Sequence, residues 1–159
     1  MPKIARKYMA HYIDASTTAE PSYERLGKDL EEYTVEMSAS VNTKKNILGE
    51  TSTSIDSYEK SASVDPYFAD SDDAIYARLQ KIIDEGLTLD DLNTTVVEVH
   101  LWEEATDGSY TAYRENAVIE VSSYGGNTEG YQIPFTLHYT GGKTKGTFNV
   151  TTKTFTADV

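Results

Sequence analysis

In the stretch "YTVEMSAS", Tyr33, Val35, Met37 and Ala39 fall on one side and Thr34, Glu36, Ser38 and Ser40 on the other. A period of two predicts a strand with one covered and one wet face. The pattern then weakens. In "VNTKKNILGETSTSIDSYEKSASVDPYF", Ile47 and Leu48 stand alone among polar residues and Pro66 closes the stretch. Moderate alternation of Ile55 and Ser57 against Asp56 and Tyr58 favours a long hairpin over plain coil.

"SDDAIYARLQKIIDEG" is the one firm helix. Ser71 is a suitable N-cap, Asp72 and Asp73 stand in the first turn where the helix dipole favours acid, and Gly86 ends it. Ile75, Leu79, Ile82 and Ile83 share one face and form the helix core stripe, so the helix packs on a sheet. Strands resume in "TTVVEVHLWEE", where Val97, Val99 and Leu101 oppose Val96, Glu98, His100 and Trp102. Asp107-Gly108 signals a turn into "YTAYRENAVIEVSSY", and "GGNTEG" signals a second turn. "EGYQIPFTLHYTGGKTKGTF" alternates, breaks at Gly141-Gly142 and alternates again, which predicts a hairpin. With "NVTTKTFTA" the count reaches roughly seven strands around one helix, a mainly antiparallel β-sandwich or partly closed barrel. Residues 1–29 are less regular: basic Lys3, Arg6 and Lys7 stand beside Tyr8, Met9, Tyr12 and Ile13, followed by the polar "DASTTAEPS". This segment reads as an N-terminal arm.

The length of 159 residues fits a single domain, and a domain of this size buries roughly 70% of its unfolded surface. Cysteine is absent, which removes disulfide scaffolds and thiol catalysis. No apolar run is long enough to span a membrane, and none follows the basic start as a secretory signal would require. The formal charge of -12 is uneven: -1 over residues 1–50, -11 over 51–110 and zero over 111–159. Such a field opposes adhesion to nucleic acid, whose affinity comes largely from Lys and Arg.

Candidate chemistry is thin. His11 belongs to the arm, His100 stands beside Glu98, and His138 alternates with Phe135, Leu137 and Tyr139. None has metal-ligand spacing. Glu98 and His100 point the same way and could form an acid–base pair, although a solvated polar face explains them more simply. Asp72, Asp73, Asp90 and Asp91 lack the calcium-loop pattern, and "GGK" at Gly141 to Lys143 is a turn rather than a phosphate loop. Twelve tyrosines and Trp102 could stack on sugars, but tyrosines on strands more often form cross-strand pairs or interfaces. No enzyme, metal or cofactor is expected.

Several strings together, "YERLGKDLEEYTVEMSASVNTKKNILGETS", "GYQIPFTLHYTGGKTKGTF" and "TKTFTA", resemble the tail tube (major tail) proteins of long-tailed bacteriophages and prophages. The resemblance runs from Tyr8 to Thr156 and rests on many loosely spaced residues. It implies a β-sandwich with one helix, a homo-oligomeric and usually hexameric ring, and rings stacked into a hollow tube through which DNA passes. It places the chain in the virion tail, assembled in the host cytoplasm, with other tail proteins at the tube ends. Carried over to this chain, residues 41–66 become an extended assembly loop, with Lys44, Asn46, Ile47, Leu48, Gly49 and Glu50 at its contact. The arm would reach an adjacent ring, and the polar faces carrying Glu36 and Glu120 would line the lumen. The tube protein of a contractile injection device, and a carbohydrate-binding β-sandwich module, are the alternatives.

Overall fold

The computed structural model describes residues 2–16, 20–27, 30, 32–106 and 108–158. Met9–Asp14 (β1) and Tyr23–Arg25 (β2) open the chain, Ala39–Lys45 (β3) and Thr51–Tyr58 (β4) form a separate pair, and Ser61–Val64 (β5) precedes the helix Ala74–Glu85 (α1). Asn93–Thr106 (β6), Ser109–Val121 (β7), Gly125–Asn127 (β8), Gly130–Gln132 (β9), Phe135–Asn149 (β10) and Thr154–Ala157 (β11) follow. The main sheet runs β11-β10-β7-β6-β1-β2, and β5 pairs with the Phe135 half of β10. Every pairing is antiparallel. The fold is therefore mainly β with one helix, as the alternation predicts.

The sheet has two cores, one on each face. On the first face, Val96, Ala117, Ile119, Phe135 and Leu137 pack against Ile75, Leu79 and Ile82 of α1, with Ile83 half-buried at the margin. On the second, Tyr12, Tyr23, Val97, Val99, Ala112 and Phe148 pack on one another. The Phe148 ring lies 4.5 Å from Tyr12 and 5.9 Å from Tyr23, centroid to centroid. Contact of β10 with β1 and β2 across that face requires the sheet to curl, so it forms a partly closed antiparallel half-barrel.

Local chemistry fixes α1 a little later than the sequence predicts. The N-cap is Asp73, whose carboxylate accepts from the Ile75 N–H at 2.9 Å and from the Tyr67 hydroxyl at 2.7 Å. Ser71 lies in the preceding turn. Gly86 ends the helix at φ 60°, a left-handed conformation that suits glycine.

Four other expectations are corrected. Much of the expected arm is sheet: β1 pairs with β6, and Ala10, His11, Tyr12 and Ile13 are all buried. Residues 33–38 are not a regular strand; only Glu36 bridges, to Ser61, and Ser38 turns the chain at φ 44°. The segment 41–66 divides, because β5 joins the main sheet with Ala62 and Val64 buried. Gly141-Gly142 is not a hairpin turn. It is an irregularity inside one long strand, where β10 shifts register against β7 between Tyr139 and Thr144 and continues to Asn149. Positive φ at both glycines permits this. The Asp107-Gly108 turn falls partly on Asp107, which lies outside the described residues.

Candidate functional site

The β3–β4 hairpin belongs to neither core. Every residue of both strands is exposed, including the cross-strand partners Val41 and Ile55 at 59% and 53%. Two strands with no buried face are marginally stable in water, since pairing alone barely offsets the entropy of ordering them. The tip is nonetheless well defined by local bonds. The Asn46 side-chain oxygen accepts from the Leu48 and Glu50 N–H groups at 2.9 and 3.0 Å. The Asn46 N–H reaches the Glu50 carbonyl, and the Gly49 N–H reaches that of Asn46. Gly49 supplies the positive φ of 83° that the turn needs. The result is to hold Ile47 and Leu48 wholly in water, at 102% and 77% exposure. Lys44 and Glu50 flank them, so the six expected contact residues form one tip.

The chain enters this hairpin through a clamped strap, 33–37. The Arg6 guanidinium donates to the Tyr33 carbonyl at 2.9 Å, and the hydroxyls of Tyr33 and Tyr139 bond at 2.8 Å. Glu36 and Ser61 exchange both backbone bonds. Beneath the strap is a cavity of about 340 Å³ lined by His11, Glu98, Tyr113, Glu115 and Tyr139 among others. His11 is 4% exposed and lies 4.5 Å from the Tyr33 ring. Its Nε2 stands 3.5 Å from Glu98 Oε1 and has no hydrogen-bond partner among the described residues. Burial lowers the His11 pKa and favours neutral imidazole. The His11 contact draws the Glu98 carboxyl down to about 2, against the opposing effect of burial. Lys60 pairs with Glu115 on the same wall.

Glu98 and His100 do share a face, with 3.5 Å between Glu98 Oε2 and His100 Nε2. His11 completes the group, from a segment whose pattern in sequence is irregular. Its only signal is the apolar density of Met9 to Ile13. Among the described residues, no group of three or more metal-ligating side chains could hold an ion. Glu36 and Glu120 are both exposed. Pairing of Glu36 with Ser61, of Ser61 with His138 and of His138 with Val118 puts Glu36 on the same sheet face as His138 and Glu120. His138 Nε2 and Glu120 Oε2 are 2.8 Å apart on that face.

No helix among the described residues is long and apolar enough to cross a membrane. Comparison with protein-family models and with curated proteins finds no match for this chain.

Proposed function

We propose that the chain is the structural subunit of a phage or prophage tail tube, assembling into stacked rings that form a conduit for DNA. The observation that carries this reading is the β3–β4 hairpin, which projects a bonded turn bearing Ile47 and Leu48 into water. A segment with no core of its own and a preformed apolar tip has the physical character of a part completed by a neighbour. Edge strands add support. Among the described strands β3 and β4 pair only with each other, and open edges invite pairing between chains unless a closed assembly covers them.

The charge distribution suits a conduit. A lumen lined by the polar face of Glu36 and Glu120 would present carboxylates to passing phosphates, which weakens adhesion so that DNA could slide. The same hairpin and charge serve the tube of a contractile injection device, and the host particle would decide between the two. In this reading the protein resides in the virion tail, with other tail proteins at the tube ends, and is not an enzyme.

Electron microscopy of the concentrated, purified chain tests the proposal. Stacked rings or tubes are expected. A monomer at every concentration would overturn it, and a monomer that binds sugar arrays would favour the carbohydrate-binding module instead.

A further inference from the structure

A second concavity, of about 590 Å³, opens where Arg6 and Lys7 meet the end of β2. Its described charged rim holds Arg6, Lys7 and Arg25 against one acid, Glu32, in a chain whose net charge is -12. None of these three cations forms an ion pair among the described residues. Arg6 bonds to the Met9 and Tyr33 carbonyls, Arg25 to that of Lys7, and the Lys7 ammonium lies 5.4 Å from the Tyr8 ring centroid. Leu26 and Leu30 line the floor, and buried His11 borders it. Among the described residues the groove is thus apolar below and cationic above.

The opposite composition occurs in the turn after α1. Leu89 is 84% exposed and held at φ 54°, a backbone region that L side chains rarely adopt. Leu87 and Leu92 anchor the turn on the core, and Arg78 ties it to β1 by donating to the Asp14 and Asn93 carbonyls. Asp90 and Asp91 are exposed beside Leu89 and form no ion pair among the described residues. The turn adjoins the Asp14 end of β1 and the groove adjoins its Met9 end, a strand length of roughly 17 Å. One chain's turn therefore cannot fill its own groove.

We infer that the groove is the docking site for the Leu89–Asp91 turn of a second copy, with Leu89 seated on Leu26 and Leu30 and the two aspartates meeting Arg6, Lys7 and Arg25. This inference rests on the self-assembly reading and adds to it a contact separate from the hairpin. Two different patches meet, so the contact is head-to-tail and propagates into a ring or a helical run. Nucleic acid is a poorer occupant, because the surrounding negative field opposes it.

Sedimentation of wild-type protein and four variants tests the contact, with circular dichroism to verify folding. Lys7→Glu/Arg25→Glu and Asp90→Lys/Asp91→Lys should each raise the concentration of half-assembly by at least about tenfold, and all four changes in one chain should restore it. Leu89→Gly should weaken assembly while leaving the melting temperature unchanged or higher, because glycine accepts the positive φ. That combination separates docking from folding and stays informative if a groove variant fails to fold. Wild-type assembly undiminished in the charge variants would overturn the docking site and leave self-assembly standing. Wild-type protein that stays monomeric would overturn both.

Discussion

Lys153, in the turn between β10 and β11, lies with its ammonium 3.4 Å from the Glu24 carboxylate on β2, although 129 residues separate them. The contact joins the two ends of the sheet path and marks where the half-barrel closes. Both side chains are partly exposed, so the pair contributes little, about 0–1 kcal/mol. The closure is held instead by Phe148, which is fully buried between Tyr12 and Tyr23. Lys153→Ala should change the unfolding free energy by less than about 1 kcal/mol, and Phe148→Ala should cost about 3–5 kcal/mol. Denaturant titration of both variants checks this, and equal losses would mean that charge rather than packing closes the curl.

Leu79 is 1% exposed between α1 and the sheet. Leu79→Ala should cost about 2–5 kcal/mol through lost burial and a residual cavity. An unchanged melting temperature would contradict the packing described for this face.

That stripe shows what kind of feature is readable from sequence. Ile75, Leu79 and Ile82 face one core and α1's outer face is wet, so their spacing carries a clean signal. β1 gives no such signal because its central residues are buried on both sides, Tyr12 in one core and Ile13 in the other. Alternation vanishes when both faces are covered. Tyr33 to Ser40 errs in the opposite sense. Its alternation is real, but Tyr33 is fixed by Tyr139 and Arg6, and Ser38 then turns the chain outward. Gly141-Gly142 fits a hairpin turn or a register shift equally well, and only the continuous pairing of β10 with β7 decides between them. The hairpin tip was legible because Ile47 and Leu48 have no apolar neighbours in sequence, whereas the His11 pocket depends on contacts between distant segments.

Acid should weaken the fold in two stages. The His11 pKa is lowered from 6.5, so the unfolded chain takes up a proton before the folded one and stability begins to fall as pH drops below 6.5. The Glu98 pKa is lowered from 4.5 to about 2, so its contribution is present above pH 4.5 and is lost as pH falls from there towards 2. His11→Leu should remove the upper stage and, because it also removes the contact that draws the Glu98 carboxyl down, should move the lower stage to higher pH. Melting curves across this range check the point, and an unaltered upper stage would contradict it.

The lumen assignment makes a charge prediction. In the proposed tube, Glu36→Lys/Glu120→Lys should leave rings intact, since both residues are exposed, but slow or block DNA passage by giving the proposed channel phosphate-binding groups. Particles carrying the double variant should lose infectivity. Normal infectivity would remove these residues from the lumen.

The central claim is that the β3–β4 hairpin holds copies of the chain together. Its most direct test is electron microscopy, beside sedimentation, of wild-type protein and of Ile47→Asp/Leu48→Asp at matched concentration. Both substitutions lie on a fully exposed tip, so the melting temperature of the subunit should stay close to that of the wild type. The account predicts rings or tubes from the wild type and dispersed monomers from the variant. Rings from the variant in undiminished yield would contradict it.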